Sequence, residues 1–156
     1  MAPSWTGGQA SSLWRPWPGF SIVGLVGNAA REKVEMTTEK AAVEAVLESY
    51  IDACRRGDVE LLKEIFHPDA AMNGYLAGSL LVGGPGPFFD AVAGNPSPAE
   101  TGAAYSAVVG NVVIDGRQAT GIIREQGFLG MDFSNHFQLL EIDGSWRIVA
   151  KLFESH

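Results

Sequence analysis

Apolar positions Ala42, Val43, Val46, Leu47, Tyr50, Ile51 and Cys54 recur at helical spacing, with Glu39, Glu44, Glu48, Asp52 and Arg55 filling the rest of each turn. That period, with Thr38 as a ready N-cap, predicts an amphipathic helix of about five turns. Gly57 supplies a left-handed stop and Asp58 the next cap. A short second helix, Val59 to Phe66, is therefore expected, ended by His67-Pro68.

Beyond Pro68 the pattern becomes strand-like, in pieces from Ala70 to Tyr75 and Ser79 to Val82. Gly83-Gly84-Pro85-Gly86-Pro87 interrupts it, and Phe88 to Ala93 reads as a third, short helix starting near a proline. Asn95-Pro96-Ser97-Pro98 through Gly102 predicts an exposed loop. Four further strands are expected over Ala103 to Asp115, Gln118 to Phe128, Met131 to Ile142 and Trp146 to Phe153. Asp115-Gly116 and Asp143-Gly144 stand in two of the joins as hairpin turn pairs. Helices followed by an antiparallel meander define the α+β class.

Residues 1 to 35 break from this order. Trp5, Trp14, Trp17, Pro3, Pro16 and Pro18 crowd the stretch before residue 30, where Arg15 is the only charge, and no period emerges. The apolar run from Phe20 to Ala30 is shorter than the ~20 residues a membrane span needs and only faintly imitates a secretory signal. We expect a poorly ordered extension over 1 to 35, a leader or a start placed upstream of Met36, and a folded domain over 36 to 156.

The length of 156 residues suits one domain, and 46% hydrophobic against 19% charged residues is a globular composition. A net charge of −7 argues against a phosphate-binding surface, so nucleic acid is not an expected partner. Cys54 is the single cysteine and the histidines (His67, His136, His156) lack zinc spacing; neither metal nor cofactor is expected. With no membrane segment, a cytoplasmic location is expected.

Three stretches carry a resemblance: Tyr50-Ile51-Asp52-Ala53-Cys54-Arg55-Arg56-Gly57-Asp58, Ile65-Phe66-His67-Pro68-Asp69-Ala70, and Ile142-Asp143-Gly144-Ser145-Trp146-Arg147-Ile148-Val149 with Lys151-Leu152-Phe153. In this order the chain from Met36 to His156 resembles the nuclear transport factor 2-like superfamily, specifically its SnoaL-like proteins and the family named putative lumazine-binding. The resemblance implies a cone-shaped α+β barrel, in which N-terminal helices pack on a curved antiparallel sheet and the open end admits a small apolar or aromatic molecule. It also implies a homodimer through the outer sheet face. Relatives include isomerases, dehydratases, cyclases, hydrolases and binding modules, so function has to come from the pocket.

Tyr50 matches the tyrosine that, in ketosteroid isomerases, donates to a developing oxyanion, and Asn135-His136-Phe137 resembles their Asp-His-Phe, with Asn135 still able to donate through its amide. Each has a plainer reading, as a core tyrosine and a satisfied strand amide. The isomerase base falls on Gly74, beside Asn73, and neither abstracts a proton. His67 offers an acid or base if it faces the cavity, or else a helix-terminal contact. Lys151 interrupts an apolar strand and, if buried, needs a carboxylate or an anionic ligand. Arg124 and Asp132 read as a surface ion pair, with Glu125 alternating to the opposite face from Arg124, and His136 falls on the outer face opposite Asn135.

The leading reading is a small-molecule-binding protein with an apolar aromatic pocket formed by Tyr50, His67, Met72, Tyr75, Phe89, Phe133, Asn135, Phe137 and Lys151. The alternatives are a cofactor-free SnoaL-like isomerase, dehydratase or cyclase using His67, Tyr50 and Asn135, and a dimeric interaction module without ligand. The position of the His67 ring separates the first two.

Overall fold

The computed structural model describes residues 22 to 156. The chain divides into two compact units, Met1–Val34 and Glu35–His156, and the architecture below is that of the second. Of the extension expected over 1 to 35, residues 1 to 21 lie outside the described residues.

Helix α1 (Ile22–Arg56) begins well before Thr38. The capping expectation gives way because Ala29, Ala30, Arg31, Glu32, Lys33 and Met36 are strong helix formers that carry the helix through the threonines. Its apolar stripe is as the period requires: Val43, Leu47, Tyr50, Ala53 and Cys54 are buried. Asp58 caps α2 (Val59–Ile65), its Oδ1 accepting from the Leu61 amide at 3.0 Å.

Strand β1 (Phe66–Leu76) takes over at once, so His67 and Pro68 belong to a strand rather than to a helix end. Pro68 holds the preceding residue extended, and Phe66 buries its ring and pairs with Ile148. β2 (Ser79–Gly83) and α3 (Gly86–Gly94) follow. The loop expected to be exposed contains instead a helical turn, α4 (Pro98–Thr101), with Ser97 buried. Ser97 and Glu100 form a capping box: Ser97 Oγ accepts from the Glu100 amide at 3.2 Å, and the Ser97 amide donates to Glu100 Oε2 at 2.8 Å.

Strands β3 (Ser106–Asp115), β4 (Gln118–Phe128), β5 (Met131–Ile142) and β6 (Ser145–Ser155) complete a six-stranded sheet in the order β2-β1-β6-β5-β4-β3. Asp143 and Gly144 both have positive φ, 51° and 79°, as a tight primed turn demands. The sheet is mixed, not purely antiparallel, because β1 and β6 pair in parallel. It is also open rather than a closed barrel, with β2 and β3 at its edges.

Alternation sorts the faces. Ala119, Ile123 and Glu125 on β4, Phe133, Asn135, Phe137 and Leu139 on β5, and Ile148, Lys151 and Phe153 on β6 are buried in one core with the α1 stripe. Two buried charges in this face are the anomaly that the site must explain.

Gly74 is required by close approach: a Cβ there would stand 2.0 Å from the Phe153 carbonyl oxygen and 2.7 Å from its Cγ. Gly74→Ala is expected to cost about 1–3 kcal/mol or more by forcing β1 away from β6. Urea unfolding followed by circular dichroism checks this; an unchanged midpoint would show the strands able to separate freely.

Candidate functional site

Four strand and helix positions converge on the buried polar groups. Lys151, on β6, donates from Nζ to the Tyr50 hydroxyl of α1 at 2.6 Å. Four rings surround the same nitrogen, with centroids 4.5 Å (Phe88), 4.9 Å (Tyr50), 5.6 Å (Phe153) and 5.9 Å (Phe137) away. Ring faces attract a cation, each by roughly 0.5–2 kcal/mol, which only partly replaces lost hydration. Burial therefore pulls the Lys151 ammonium below its ordinary value, against the opposing pull of Glu125 and Cys54.

Glu125, two strands away on β4, is held by donors. Tyr105 donates its hydroxyl to Oε1 at 2.8 Å and Asn135 its amide to Oε2 at 2.7 Å. Asn135 Oδ1 is buried and unpartnered among the described residues. Burial first, and then the Glu125 charge, pushes the Cys54 thiol and the Tyr105 phenol upward. Tyr50 rises through burial, then through Cys54 and Glu125. The phenols and thiol thus stay protonated beside a carboxyl group and an amine whose pKa burial lowers.

Glu125 and Lys151 share a cavity of about 320 Å³. Its other walls are almost wholly apolar, including Met72, Leu76, Phe88, Phe128, Phe133 and Phe153. This is the low end of the ~300–1,000 Å³ usual for small-molecule pockets.

The expected site residues separate into three groups. Met72, Phe133 and Lys151 line the cavity. Tyr50, Asn135 and Phe137 lie behind its wall, fully buried, and reach it through Lys151 and Glu125. His67, Tyr75 and Phe89 do not line it. Tyr75 is 48% exposed, Phe89 packs edge-on against Phe66, and the half-buried His67 accepts from the Asp69 amide through Nδ1 at 3.1 Å. The His67 position follows from its assignment to β1: a helix end would have aimed the ring differently.

Sequence reasoning missed Glu125, although the alternation that set it opposite Arg124 already placed it with Ile123 and Phe133 on the apolar face. The surface ion pair expected between Arg124 and Asp132 does not form. Arg124 bonds Ser134, and Asp132 Oδ1 accepts from the Gly127 amide at 2.9 Å where β4 shifts register. His136 is exposed on the outer face, opposite Asn135. Among the described residues no group of three or more His, Cys, Asp or Glu side chains is placed to hold a metal ion, and no helix is long and apolar enough to cross a membrane.

An α+β core of helices on an open six-stranded sheet, hollow at one end, is the nuclear transport factor 2-like fold. The family model described as "Putative lumazine-binding" matches residues 38 to 154, and the chain belongs to that family. Solved structures agree. A nuclear transport factor 2-like protein of unknown function from Shewanella baltica OS155 is 25% identical and aligns with a TM-score of 0.69, covering 77% of this chain and 95% of that one. Another, from Silicibacter pomeroyi DSS-3, is 29% identical with a TM-score of 0.68, covering 78% and 98%. Among characterised proteins, the aldolase FrzH of Cladobotryum sp is 28% identical over 123 residues, 77% of this chain and 94% of that protein.

Replacing Glu125 by Leu would leave the Asn135 amide and the Tyr105 hydroxyl without their acceptor. We expect Glu125→Leu to cost about 2–4 kcal/mol and Glu125→Gln, which keeps an acceptor oxygen, clearly less. Urea midpoints of the two variants check this; equal losses would show that the hydrogen bonds contribute little.

Proposed function

We propose that this protein binds a flat, largely apolar small molecule bearing a carbonyl or carboxylate oxygen, seated with that oxygen against Lys151. One observation carries the reading. An ammonium has three N–H donors, yet Tyr50 is the single hydrogen-bond partner of Lys151 and no carboxylate oxygen lies within 4.0 Å of it among the described residues. The aromatic walls match a flat ring, and the buried cation matches an oxygen acceptor that replaces lost water.

Cofactor-free turnover in the same cavity is the second reading. The similarity to an aldolase favours it, as does the presence of a carboxyl group and an amine on one wall. His67 stands apart from the cavity, so Glu125 takes the acid-base role in this version. A homodimer through the outer sheet face remains part of the proposal, supported by the exposed Val108, Val113, Leu140 and Leu152.

Naphthalene-2-carboxylate and neutral 2-methylnaphthalene are suitable probes, followed by isothermal titration calorimetry. We expect both to bind at one site, the carboxylate more tightly. Lys151→Met should weaken the carboxylate about tenfold or more, as losing a charged hydrogen bond implies, and spare the hydrocarbon. His67→Ala should alter neither. No binding of either probe would remove the cavity as a ligand site, and equal affinities would remove Lys151 from it.

A further inference from the structure

Lys151 is set where an amine can act as a nucleophile as well as a hydrogen-bond donor. It lines an apolar hollow, has four aromatic rings within 6 Å of its nitrogen, and is itself buried. Tyr50 fixes the head of an otherwise flexible side chain at 2.6 Å and is the single hydrogen-bond partner of the nitrogen among the described residues. Lys33, Lys40 and Lys63, the other lysines, are all exposed.

We infer that Lys151 captures carbonyl compounds: its Nζ forms a Schiff base with an aromatic aldehyde or ketone held in the cavity. The inference rests on the binding reading above and names a substrate class for it. The nitrogen lone pair attacks the carbonyl carbon as the C=O π pair moves onto oxygen. One amine proton passes to that oxygen, giving a carbinolamine. The C–O bond then breaks as the nitrogen lone pair forms C=N, and the hydroxyl leaves as water with the second amine proton. No oxidant, reductant or further reactant enters. The attack needs the unprotonated amine, and desolvation at this position favours that form.

The test is reductive trapping on the full chain. Protein is incubated with naphthalene-2-carbaldehyde and sodium cyanoborohydride near pH ~7, where an ordinary lysine is almost wholly protonated. Intact mass and peptide mapping then locate the label, while calorimetry without the reductant measures binding of the aldehyde. We expect one naphthylmethyl group on Lys151, acquired at least about tenfold faster than on Lys33, Lys40 or Lys63, since the cavity holds the aldehyde beside its nitrogen. Excess 2-methylnaphthalene should suppress it. Lys151→Met, verified as folded by hydrocarbon binding, should lose the fast label alone. Binding of the aldehyde without preferential labelling overturns the Schiff base and leaves the binding site standing. Neither binding nor labelling overturns both.

Discussion

A cation inside an apolar wall governs this molecule. Lys151 sits on the inner face of β6, among rings, with the Tyr50 hydroxyl as its hydrogen-bond acceptor. Burying an ammonium costs several kcal/mol unless partners replace its hydration, and a full ion pair is not what replaces it here. Burial lowers the pKa of the amine, and in the proposed function the cavity beside it admits an oxygen acceptor. Structure and function meet in that compromise: a core optimised only for stability would carry Leu or Met at this position.

The second buried charge is handled differently. Glu125 receives two strong donors, Tyr105 and Asn135, so its oxygens are satisfied within the protein. Two polar centres on one wall, one satisfied and the other not, give the cavity a direction. In the proposed function a ligand's polar end is drawn to Lys151, with its ring along Met72, Phe88, Phe128 and Phe133. Tyr50 and Asn135 lie behind the wall, bonded to Lys151 and Glu125, and do not line the cavity.

Much of the scaffold was legible from local pattern. Strands β4 and β5 have the boundaries the alternation predicts, and Asp143-Gly144 forms the turn its residue types require. Pairing between distant segments leaves no local signal, and so the parallel β1–β6 ladder was not readable. α4 did leave one, Ser97-Pro98-Ala99-Glu100, a capping box that the density of proline and glycine masked. Pro68 was understood only as a helix stop, whereas its restriction on His67 starts β1. In the site, alternation set Glu125 opposite Arg124 but left open whether Lys151 lay on the inner face. Depth within that face, which decides whether a residue lines the cavity or stands behind it, depends on how α1 packs, and no single strand encodes it.

The ionisation of Lys151 is the most direct measure of this account. Selective 15N labelling of lysine and NMR detection of the Nζ resonance across a pH titration of the ligand-free protein would report it. The account predicts a midpoint for Lys151 below the ordinary 10.5, because burial without a paired carboxylate disfavours the ammonium. A midpoint at or above 10.5 would contradict it, by showing the nitrogen to be hydrated or ion-paired and the cavity wall to carry no uncompensated cation.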